Sequence, residues 1–73
     1  MCMPLQSRIK DVVESEESAR EAYHMWVQDN DNETYSLTLV PTVMQSVGSG
    51  IHGPTIQDVH AALSDMRESG WRP

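Results

Sequence analysis

The sequence predicts a small α+β domain with an N-terminal helix or two short ones, a two-stranded sheet and a C-terminal helix. Three observations carry that expectation. Apolar residues recur at helical spacing up to Trp26 and again from Ile56 to Met66. Tyr35, Leu37 and Leu39 alternate with Thr34, Ser36 and Thr38. Between Thr34 and Gln57 there is no Asp, Glu, Lys or Arg.

Leu5, Ile9, Val12 and Val13 suit one face of an amphipathic helix from Leu5 to about Glu14. Ser18-Ala19-Arg20-Glu21 has the capping-box pattern, in which a hydroxyl and a carboxylate satisfy backbone donors reciprocally. After it, Ala19, Ala22, Tyr23 and Trp26 share a face. Either one helix spans Leu5 to Gln28, or two helices break near 15–18. Asp29 to Asn32 ends the helical stretch, because Asp and Asn side chains compete for backbone hydrogen bonds.

Glu33 to Val40 reads as a strand, being rich in β-branched and aromatic residues with period two, and Pro41 stops it. The following "TVMQSV" allows two readings. Pro41 suits the first helical position with Gly48 as the cap, whereas the β-branched residues favour a second strand over 43–47, and the strand is the preferred reading. "GSGIHGP" is a loop. Thr55 caps a helix whose buried stripe is Ile56, Val59, Leu63 and Met66, with Ala62 beside it. Gly70 is placed as the left-handed residue of a Schellman turn, which brings Trp71 against Met66. Residues 1–73 form one domain, with flexible ends at 1–4 and 71–73.

A chain of 73 residues buries a small core, and its aromatics are confined to Tyr23, Trp26, Tyr35 and Trp71. A large enclosed active site is therefore not expected. The single cysteine, Cys2, permits no internal disulfide and suits a reducing compartment. The opening residues lack a secretory pattern, and no apolar run approaches a membrane span, so a soluble cytoplasmic protein without membrane contact is expected.

Five basic against eleven acidic side chains give a net charge of −6, which argues against general binding to a phosphate backbone. The distribution is uneven. Arg8 and Lys10 form a small basic end and the candidate nucleic-acid contact. Seven acids lie from Glu14 to Glu33 against one base, Arg20.

Motifs for chemistry are missing. Asp29, Asp31 and Glu33 have the spacing of the first ligands of a calcium loop, but Thr34 replaces the sixth-position glycine and Val40 the closing glutamate. His24, His52 and His60 lack zinc-site spacing. There is no phosphate-binding loop and no nucleophile elbow, and the adjacent Glu16 and Glu17 point apart on a helix. No cofactor, no metal and no enzymatic activity are expected.

The opening "MCMPLQSRIKDVVESEESAREAYHMWV", the middle "ETYSLTLVPTVMQSVGSGIHGP" and the ending "SDMRESGWRP" resemble a small bacteriophage transcription regulator that binds host bacterial RNA polymerase, that of a Xanthomonas-infecting phage. The resemblance spans the whole chain but transfers no motif and no binding residues. It implies a non-enzymatic protein on the N-terminal region of the β′ subunit, near the RNA exit channel, with the β flap as a second contact. There it would inhibit host initiation by displacing σ and promote antitermination. It also implies a monomer in the host bacterial cytoplasm, with room for a host elongation factor and only indirect contact with nascent RNA.

From the residues themselves, the uncharged middle is the candidate partner-binding surface: Tyr35, Leu37, Leu39 and Val40 on the strand, then Met44, Ile51 and His52. Aromatic and Met side chains suit interface cores where charge is depleted. An acidic DNA mimic or anti-defence inhibitor is the alternative reading, and a small winged-helix DNA binder the second. The acidic face expected for the last helix (Asp58, Asp65, Glu68) disfavours the latter.

Overall fold

The computed structural model describes residues 4–48, 51 and 53–73. Among them there is no strand. Four helices form instead: α1 (Leu5–Ser15), α2 (Glu17–Asp29), α3 (32–47) and α4 (Ile56–Glu68). The α+β expectation is thus overturned, and the expected two-stranded sheet is replaced by α3. That helix has three parts, an opening turn Asn32–Thr34, a wide π-helical turn Tyr35–Leu39 and a regular stretch Val40–Val47.

The reason lies in the longer window. Tyr35, Leu39, Val43 and Val47 repeat every four residues and are all buried, with Val40 beside them. That row defines a helical face. A period-two reading shares residues 35 and 39 with it and differs only at Leu37, which is 69% exposed. Pro41 does not stop the chain: the backbone is helical on both sides of it, and the wide turn Tyr35–Leu39 just before it is where the ladder accommodates a residue with no N–H to donate. Just before it the ladder shifts, and the Val40 N–H bonds to the Tyr35 carbonyl five residues back. Gly48 then ends the helix at φ 89°, the outcome that the alternative reading of 42–47 anticipated.

The N-terminal stretch is two helices, broken at Glu16 (φ −105°, ψ 118°). The expected Ser18–Glu21 capping box does not form, because α2 starts two residues earlier, with Glu16 and not Ser18 at the N-cap. Arg20 instead donates to the Glu14 carbonyl at 2.8 Å, satisfying an orphan acceptor at the end of α1. Glu16 accepts from the Ser46 hydroxyl at 2.6 Å and so ties the break to α3.

The expected face of α2 is the buried one: Ala19, Ala22, Tyr23 and Trp26. Together with Ile9 and Val13 of α1, the α3 row, and Val59, Leu63 and Met66 of α4, it forms one hydrophobic core. The opening of α4 carries the full capping box between Thr55 and Asp58. Its end is a Schellman turn, with the Trp71 N–H on the Met66 carbonyl (3.0 Å) and the Gly70 N–H on that of Arg67 (3.1 Å). Trp71 is held firmly. The Tyr23 hydroxyl donates to its carbonyl at 2.8 Å, and the two rings meet edge to face at 5.4 Å. No described helix is long and apolar enough to cross a membrane.

Candidate interaction surface

The stretch from Asp31 builds the outer wall of the domain. Asn30 takes the left-handed conformation at φ 54° and closes α2, with its N–H on the Trp26 carbonyl. Asp31 then opens α3, accepting from the N–H groups of Glu33 (3.1 Å) and Thr34 (3.2 Å) and from the Thr34 hydroxyl (2.6 Å). The Thr34 hydroxyl, above all, holds the Asp31 carboxyl below the usual carboxylate range. The acidic run is therefore a helix stop followed by a helix start. Among the described residues, no three His, Cys, Asp or Glu side chains gather to hold a metal.

Helical geometry splits the candidate contact residues between core and surface. Tyr35, Leu39 and Val40 face inward, at 6%, 0% and 5% exposure. Met44 is half-buried against the same core. Leu37 and Ile51 are the exposed ones, and His52 lies outside the described residues. Val40→Asp, a surface change on a strand, here puts a carboxylate into the core.

Tyr35 stacks on Trp26 (4.2 Å, 19° between planes) and meets His60 edge to face at 4.8 Å. Burial raises the pKa of its hydroxyl; Ser64 pulls the other way without completing a hydrogen bond. Arg8 and Lys10 also serve the fold. The Arg8 guanidinium donates to the Val47 carbonyl, where a cation suits the helix C-terminus. Lys10 sits over the Trp71 ring, 5.6 Å from its centroid.

What the strand reading misses is the seam between α2 and α3. Ser18, Glu21, Ala22 and Met25 of α2 face Thr34 and Thr38 of α3 across a shallow groove of about 240 Å³. Met25 is 43% exposed, and Leu37 lies between the two threonines in the chain. Glu21, Asp29 and Glu33 are exposed on the same two elements. The sequence did carry a signal for Met25, which falls outside the buried face of α2. Ile56 is a second apolar residue left out, at 60% exposure, although it belongs to the expected stripe of α4.

A second groove, of about 470 Å³, opens on the other side of the Glu21–Met25 ridge, between α2 and the C-terminal residues. Arg20, His24, Arg72 and Pro73 complete its walls. No protein family, no curated protein and no solved structure matches the chain.

Proposed function

We propose that this chain is a non-enzymatic regulator that docks onto bacterial RNA polymerase through the α2–α3 seam. The partner comes from the resemblance, which implies the β′ N-terminal region near the RNA exit channel, σ displacement at host promoters and read-through of intrinsic terminators. The docking surface comes from the geometry. The observation that supports it is the exposure of Leu37 on α3 and of Met25 on α2, with Met25 and the Glu21 carboxylate lining the groove between the two helices. Apolar anchors ringed by charge have the anatomy of a protein contact, and the acids suit a basic channel wall. The alternative of a winged-helix DNA binder loses support, since the described residues supply no strand for a wing.

The test uses purified polymerase. The tagged protein should capture the enzyme and raise read-through at an intrinsic terminator in a reconstituted assay. Leu37→Asp should lose both effects while its thermal unfolding stays within a few degrees of wild type. Wild-type protein that neither captures polymerase nor alters termination overturns the reading. Unimpaired Leu37→Asp moves the contact away from this seam.

A further inference from the structure

The groove between α2 and the C-terminus brings two of this acidic protein's five Lys and Arg side chains together. Of five Lys and Arg side chains, Arg8 caps Val47, Lys10 stands over Trp71 and Arg67 over Trp26 at 5.0 Å. The other two, Arg20 and Arg72, line the groove together with His24. Arg20 and Arg72 lie far apart in the sequence, so the fold itself brings them to one groove. The Schellman turn and the Tyr23–Trp71 hydrogen bond fix the chain direction just before Arg72. Arg20 uses an N–H on the Glu14 carbonyl, and a guanidinium has five.

The rest of the lining is one carboxylate, Glu21, and two apolar side chains, Met25 and Pro73. At about 470 Å³ the groove is the size of a small-ligand or short-peptide site. We infer that it binds a short acidic peptide segment, in which carboxylates engage Arg20 and Arg72 and an intervening apolar side chain rests on Met25. Guanidinium groups grip carboxylates in paired hydrogen bonds, and methionine adapts to varied apolar partners. Glu21 sets the polarity, turning carboxylates toward the arginines and leaving its own oxygens for peptide N–H groups.

Single-stranded RNA fits less well. A strand needs several phosphates neutralised along its length and aromatic faces for its bases. This groove offers two arginines, an opposing carboxylate, and no Trp, Tyr or Phe among its lining residues.

This groove shares Glu21 and Met25 with the seam of the polymerase reading but has Arg20 and Arg72 to itself, and its test needs no polymerase. The probe is a fluorescein-labelled peptide of alternating aspartate and leucine, titrated against the whole protein by anisotropy. Binding tighter than about 1 mM is expected, weakening between about 50 mM and about 500 mM salt as screening grows. The matching asparagine–leucine peptide should bind at least about tenfold more weakly, as should the acidic peptide to Arg72→Gln. Arg72 is exposed near the C-terminus, so this variant should fold normally, as circular dichroism would check. Leu37→Asp should bind the peptide as wild type does. Equal binding of the neutral peptide, unchanged affinity in Arg72→Gln, or tighter binding of an oligouridylate each overturns the inference. So does self-association of the protein that Arg72→Gln removes, because the occupant is then a second copy.

Discussion

Leu37 and Leu39 are chemically identical and two residues apart, which makes them a direct test of how the central segment folds. On a half-buried strand both side chains point to one face and have similar burial. In α3 they separate: Leu39 is fully buried, and Leu37 is 69% exposed. Truncating a buried leucine to alanine removes its transfer free energy and leaves a cavity, for about 2–5 kcal/mol. At Leu37 the same truncation should stay within about 0.5 kcal/mol, since alanine is also the better helix former.

A domain of 73 residues has only about 4–11 kcal/mol of total stability. Leu39→Ala therefore removes a large share of it. Urea unfolding followed by far-UV circular dichroism reads the difference. With a slope near ~1 kcal/mol per molar, the Leu39→Ala midpoint should fall by about 2 M or more. The Leu37→Ala curve should overlay wild type within about 0.5 M by the same conversion. Equal losses from the two truncations would refute the helical register of 35–39, and with it the surface assigned to Leu37.

Gly70→Ala should lower the melting temperature. A Cβ at Gly70 meets nothing within 4 Å, so the cost is the left-handed backbone at φ +78° alone, about 1–2 kcal/mol. At about 4–8 °C per kcal/mol for a domain of this size, scanning calorimetry resolves it. Asp31 has a depressed folded pKa, so its contribution to stability is present above the unfolded value and lost as pH falls through the folded one. Wild type should therefore lose stability over that acid range more steeply than Asp31→Asn, which caps without titrating; parallel profiles of the urea midpoint would contradict the cap. Tyr23 and Tyr35 are the only tyrosines, and burial raises both. Their stabilising contribution is complete below the unfolded pKa and lost as pH rises through the folded values. The whole tyrosinate absorbance rise should thus come later in native than in urea-unfolded protein.

The parts of the fold legible in the sequence are those fixed by local chemistry. The Thr55–Asp58 cap, the Gly70–Trp71 turn, the stop at Asn30 and the buried face of α2 each depend on residues within a few positions of one another. Segment 33–47 was not legible in the same way, because its local signals conflict. Threonines, valines and an alternating trio argue for a strand, and a proline argues for an end. What decides is burial at 35, 39, 43 and 47, a row that shows only over a window longer than a strand. Tertiary packing against Trp26 and His60 then outweighs the β propensity of the individual residues.

The same conflict explains why the candidate surface was only partly legible. An uncharged run in a strand offers a continuous apolar edge, and each of its large side chains becomes a contact candidate. Wound into a helix, that run spends Tyr35, Leu39 and Val40 on the core and leaves Leu37 to face outward. Its exposed neighbours are then set by the adjoining helix, which contributes Met25 and Glu21 across the threonines. The cationic groove arises likewise from residues distant in sequence, with Arg20 and Arg72 lining one groove because Trp71 is anchored on Tyr23. Loosening that anchor should therefore open the groove while leaving the α2–α3 seam intact. Tyr23→Phe, which deletes only the hydrogen bond to the Trp71 carbonyl, should weaken the acidic peptide and spare polymerase capture. Equal loss of both would mean that the two faces are coupled through α2, and equal retention would mean that the aromatic contact alone positions the C-terminus.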